Sequence, residues 1–130
     1  MARRGRGIPK APELDEPTLE SVVQLSRALA SMTRLRILMR LWRSPATVTA
    51  LAGDIGMGQS AVSHQLQLLR GLDLVRANRV GQSVVYSLRD GHVALMLDEA
   101  ISHTEHVRFG DAVGDDVRSR PRTTPSLGEP

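Results

Sequence analysis

The chain has 130 residues, 41% of them hydrophobic and only 2% aromatic, which is enough for one small domain and its tails. It holds no cysteine, which excludes disulfides, thiolate metal sites and thiol redox chemistry. Sixteen of the 17 basic residues are arginine against 14 acids, a balance that suits phosphate contact and equally suits the codon bias of a GC-rich genome. No apolar run approaches membrane-spanning length, and the first residues lack a signal-peptide hydrophobic region. A cytoplasmic protein without a membrane partner is expected.

Residues 1–16 are rich in Gly, Pro and charge without periodicity, and read as a disordered basic tail. Arg3, Arg4, Arg6 and Lys10 suit either DNA backbone or a solvated tail. Pro17 opens a first helix, with Leu19, Val22, Val23, Leu25, Ala28 and Leu29 at helical spacing. Ser31 and Thr33 supply capping chemistry for a second helix, Arg34 to Trp42, which turns Leu35, Ile37, Leu38 and Leu41 inward. Arg27, Arg34, Arg36, Arg40 and Arg43 in this region read mostly as a solvated face.

After Ser44-Pro45-Ala46, Thr49 is expected to cap a short helix through Ile55. Gly56 to Gly58 turn the chain. Ser60 is expected to cap a helix to Arg70, with Val62, Leu66 and Leu69 as its core stripe and Gly71 as its stop. Two such helices across a Gly-containing turn form a helix-turn-helix pattern, the plainer reading being an αα-hairpin with a polar outer face. In the motif, the first residues of the second helix face base edges in the major groove. Here those are Gln59, Ser60, Ser63, His64 and Gln65, short hydrogen-bonding groups on an otherwise apolar helix. His64 reads as a DNA contact or a structural polar residue, since no second ligand stands at helical spacing from it.

The period then switches to two. Leu74-Val75 and Val84, Tyr86 and Leu88 alternate with polar residues around the turn RVGQS, a β-hairpin with Arg76, Arg79 and Gln82 near its tip. Arg79 and Gln82 are the wing's candidate DNA contacts. The expected fold class is mainly α with a β-hairpin wing, a winged helix-turn-helix. Without aromatic interleaving, its partner is expected to be double-stranded rather than single-stranded DNA.

The last helix carries the metal chemistry. In RDGHVALMLDEAISHTEH, Val93, Met96, Leu97, Ala100 and Ile101 recur at helical spacing, and three of the four histidines stand beside Asp90. His92 and His103 are eleven residues apart, about 1100° of rotation, so they share a face, and His106 lies one turn beyond. Asp90, His92, His103 and His106 are donors suited to a zinc-like ion. Asp90 and His103 are separated by roughly 20 Å of helix, whereas one ion binds at about 2 Å. Four ligands therefore converge only between two antiparallel copies of the helix, giving two sites per homodimer. The domain is expected to span residues 17–107 and to pair through its N- and C-terminal helices, with residues 108–130 a disordered tail.

The stretches LASMTRLRILMRL, QSAVSHQLQLLRGLDLV, RVGQSVVYSLRD and the final helix resemble the ArsR/SmtB family of metal-sensing repressors over about residues 18–107. That resemblance implies a dimeric winged-helix repressor that leaves operator DNA when metal binds at the site matching Asp90, His92, His103 and His106. It also implies a reach of His103 toward the loop near Asp73. The cysteine-based site of the family is absent, which argues against arsenic, cadmium and lead. GMGQSAVSHQL and HVALMLDEAISHTEH resemble the family's actinobacterial nickel/cobalt sensors as well as its zinc sensors. Four ligands without a histidine in either tail favour tetrahedral Zn2+, with Ni2+ or Co2+ the alternative if a backbone amine completes six-coordination. An enzyme is not expected: there is no H-E-x-x-H, and four protein ligands leave no open position for water or a small organic substrate. The remaining alternative is a winged-helix regulator whose final helix only dimerises.

Overall fold

A computed structural model describes residues 7–110. Its elements are α1 (Glu16–Leu29), α2 (Met32–Arg43), β1 (Ala46–Thr47), α3 (Val48–Ile55), α4 (Gln59–Gly71), β2 (Val75–Val80), β3 (Ser83–Leu88) and α5 (Gly91–Glu105), followed by a π-helical turn at His106–Gly110. The strands form one antiparallel sheet in the order β1-β3-β2, with Tyr86 of β3 opposite both Ala46 and Ala77.

The core lies where one stripe of each helix meets the sheet. Ile37, Leu38 and Leu41 of α2 pack with Leu51 of α3, Val62, Leu66 and Leu69 of α4, Leu74 and Val75, and Val93 and Leu97 of α5. Ile37, Leu38, Leu51, Val62, Leu66 and Leu69 are wholly shielded. Each such side chain contributes about 1.5–3 kcal/mol through burial. These contacts hold α4 and the hairpin in one body.

Helix starts follow capping oxygens. Asp15 accepts from the Thr18 amide at 3.0 Å and Ser31 from the Arg34 amide at 3.2 Å. The cap of α3 is Thr47 rather than Thr49, its hydroxyl accepting from the Ala50 amide at 3.2 Å. Helix α4 starts one residue before the expected Ser60 cap, behind Gly58, without a side-chain capping bond. The missed strand β1 is two residues long and exists through its pairing with β3, Ala46 opposite Tyr86 and Thr47 opposite Val85, which lie about 40 residues on in the chain.

Glu16 is already helical, and the chain keeps a helical course through Gly110, past the expected end at 107. Residues 7–15 carry no secondary structure, while residues 1–6 and 111–130 of the two expected tails lie outside the described residues.

The largest correction concerns two arginines. Arg34 is no solvated cation: it donates to the carbonyls of Ala28 at 2.9 Å and Arg27 at 3.2 Å, and to Gln65 Oε1 at 3.0 Å. It thereby ties the end of α1 and the start of α2 to α4. Arg40 pairs with Asp54 of α3 at 2.6 Å and donates to the Ser44 carbonyl at 2.8 Å. Five cations without a nearby acid look solvated in sequence because these acceptors are carbonyls and residues distant along the chain.

Candidate nucleic-acid interface and metal-ligand groups

The turn between α3 and α4 depends on Gly56, whose φ of +80° lies in the left-handed region and whose N–H donates to the Ala52 carbonyl at 2.8 Å. Gln59, Ser60 and His64 are exposed at the start of α4, and Ser63 is half-buried beside them. The bare start of α4 adds unsatisfied N–H groups to that surface, and such groups attract phosphate. Gln65 differs from its neighbours. It is half-buried with its amide oxygen held by Arg34, so it serves to brace α4.

The hairpin turns at Gly81, φ +65°, with Arg79 and Gln82 exposed beside the tip. Arg76 is displaced from its expected place. It faces Ser87, four pairs from the closing Val80–Ser83 pair, and so sits toward the base of the wing.

Asp90 is not on the last helix but in front of it, in extended conformation. Its Oδ1 accepts from the amides of His92 at 3.0 Å and Val93 at 3.3 Å, which fixes the start of α5. Both capping bonds fall on one oxygen, so Oδ2 points a second lone-pair set elsewhere. His92 follows in the first turn, His103 stands in the last, and His106 is the C-terminal cap residue with helical backbone. All four side chains are exposed. The structure thus groups Asp90 with His92 at one end of α5, and His103 with His106 at the other. Among the described residues, no three His, Asp or Glu side chains of one chain come together as a metal site.

Beside Asp90 and His92 lies a groove of about 620 Å³ between α1, the α4–β2 connection and α5, lined in part by Gln24, Leu25, Leu72 and Met96. On α1, Leu19, Val22 and Val23 are each nearly half exposed. Among the described residues, no helix is long and apolar enough to cross a membrane. Sequence reading missed the groove and the exposed Asp73–Arg89 ion pair that lines it, 2.9 Å long, because both depend on chain pairing distant in sequence.

Comparison with known proteins bears on what this surface does. Residues 31–77 match the family model described as bacterial regulatory protein, arsR family. The HTH-type transcriptional regulator NmtR of Mycobacterium tuberculosis is 54% identical over 106 residues, covering 82% of this chain and 88% of that protein. A transcriptional repressor SmtB homolog from Synechocystis is 38% identical over 97 residues, 75% of this chain and 72% of its own. Among solved structures, apo-NmtR superposes with a TM-score of 0.62 at 46% identity, covering 97% of this chain and 93% of that one. The chain belongs to the ArsR/SmtB family, as a winged helix-turn-helix transcriptional regulator and not an enzyme.

Proposed function

We propose that this protein is a metal-responsive repressor that binds operator DNA as a homodimer and releases it when a divalent metal, foremost Zn2+, joins the two α5 helices. The observation that carries this reading is the division of four exposed donor groups between opposite ends of one helix. One chain offers at most two of them at either end. Antiparallel pairing of two α5 helices brings Asp90 and His92 of one protomer to the His103 and His106 pair of its partner. The groove beside Asp90 and His92 gives the partner's helix end a place to enter, and the α1 stripe Leu19, Val22 and Val23 supplies apolar surface to the same pairing.

The donors suit the ion. Three imidazoles and one carboxylate make a borderline-soft set with four members, and Asp90 keeps one oxygen outside its capping bonds. DNA is read through Gln59, Ser60, Ser63 and His64, with Arg79 and Gln82 on the wing, while Gln65 supports α4 from behind. A dimer reads half-sites about 34 Å apart, so the setting of the two α4 helices decides affinity. A metal bridging the α5 helices selects one setting, and metal and operator then oppose each other through a reciprocal coupling free energy. A dimeric precedent exists in the winged helix-turn-helix DNA-binding domain Mb0332 from Mycobacterium bovis, a homodimer matching this chain at 33% identity and a TM-score of 0.63.

Nickel or cobalt is the second reading. It is favoured by GMGQSAVSHQL and HVALMLDEAISHTEH, which resemble the family's actinobacterial nickel/cobalt sensors. The test is operator binding at fixed ionic strength with zinc, nickel, cobalt or chelator added in turn, because phosphate contacts alone make affinity salt-dependent. Zinc is expected to release the DNA. Release by nickel or cobalt alone changes the ion and keeps the mechanism, and no response to any metal overturns the reading.

A further inference from the structure

Helix α4 ends at Gly71, and the chain reverses through Asp73, the one described non-glycine residue with positive φ, at +59°. That reversal is held by bonds from the Asp73 amide to the Arg70 carbonyl and from the Leu74 amide to the Leu69 carbonyl, both 3.0 Å. Leu74 then accepts from the Arg89 amide at 2.9 Å. Arg89 is followed by Asp90, whose carboxylate caps α5 through the His92 and Val93 amides. An unbroken series of hydrogen bonds and one peptide unit therefore joins the end of the reading helix to a proposed ligand pair. Across the same joint, the Arg89 guanidinium reaches Asp73 Oδ1 at 2.9 Å.

We propose that the Asp73–Arg89 ion pair is the positioning contact that makes α4 respond to occupation of Asp90 and His92. This inference rests on the metal-site reading above and says how that site is felt by the DNA-reading surface. A ligand pulling on Asp90 displaces Arg89, its immediate neighbour. With the ion pair closed, that displacement is passed to Asp73 and so to the last turn of α4. With it open, the backbone bond to Leu74 and the strand pairing that begins at Val75 and Leu88 hold the inner side, and the exposed side of the joint yields. The pair is accessible, with side chains 45% and 76% exposed, so it adds little to stability by itself. Spatial connection alone does not establish coupling, which has to be measured as a change in the effect of one ligand on the other.

The experiment measures operator Kd for the full-length dimer at fixed ionic strength, with zinc and with chelator, for wild type, Asp73→Asn, Arg89→Gln, the double variant and Arg89→Lys. Zinc affinity is followed separately by competition with a chromophoric chelator. Asn tolerates positive φ, so Asp73→Asn removes the charge without straining the turn. The expected result is unchanged zinc affinity and a metal effect on DNA smaller by about three- to five-fold in each single variant, the range an accessible pair can carry. The double variant should be no worse than either single one, and Arg89→Lys should restore the effect in part. Loss of an arginine that merely touched phosphate would weaken DNA binding alike with and without zinc and leave the ratio untouched. Single variants that keep the full metal effect overturn the proposal while leaving the metal-site reading intact. A wild-type dimer indifferent to zinc, nickel and cobalt overturns both.

Discussion

Asp90 shows how one side chain serves two purposes that point to different substitutions. Its Oδ1 caps α5, and its charge belongs to the proposed donor set. Asp90→Asn preserves an oxygen for the cap, so metal-free unfolding should shift by no more than a few tenths of a kcal/mol, while zinc affinity falls clearly. Asp90→Ala loses both and should cost about 1 kcal/mol in denaturant unfolding as well. Equal zinc affinity in wild type and Asp90→Asn would remove Asp90 from the ligands. A simpler cap stands at the other end of the domain. Hydrogen bonds from Thr18, its hydroxyl first and its amide second, hold the Asp15 carboxyl below its ordinary pKa. A depressed folded pKa means a contribution present above the unfolded value and lost as pH falls through the folded one. Protection of the Thr18 amide, taken relative to its intrinsic exchange rate, should therefore fall in acid below about pH 4, and in Asp15→Ala it should be low already at neutral pH.

At the scale of elements, local chemistry was readable wherever partners lie close in sequence. The stripes of α2 and α4 placed Ile37, Leu38, Val62, Leu66 and Leu69 in the core, and Gly81 marked the wing's turn. Capping was harder because neighbours compete: Thr47 and Thr49 both offer hydroxyls, and pairing with Val85 of β3 holds Thr47 extended at the helix start. Arg34, Arg40 and Arg89 were illegible for a different reason. Their acceptors stand up to 31 residues away, and only the packed fold brings them together. Two variants test these elements. Gly56→Ala meets no atom within 4 Å, so its cost is backbone strain alone, about 1 kcal/mol in chemical denaturation. Arg34→Lys cannot reproduce a fork that satisfies three acceptors, and a loss of about 1–3 kcal/mol is expected where a solvated arginine would show none.

For the whole molecule, the candidate site was legible as residue types and spacing, and its incompleteness was legible too. A helix rising 1.5 Å per residue keeps its two ends apart, and the structure leaves Asp90 and His92 well separated from His103 and His106. On the proposed reading, dimerisation is then a condition of metal binding rather than an accompaniment to it. The α1 stripe allows the two to be separated experimentally. Leu19, Val22 and Val23 are nearly half exposed and stand away from both the reading helix and α5's donors in sequence. A Val22→Glu, Val23→Glu chain should keep its helical content, because neither residue is in the core, yet sediment as a monomer at micromolar concentration. Such a monomer should bind zinc far more weakly than the dimer, since two donors replace four, and should lose operator affinity by the share that the second half-site supplies. A monomer that retained dimer-like zinc affinity would place all the ligands within one chain, and antiparallel pairing of α5 would have to be abandoned.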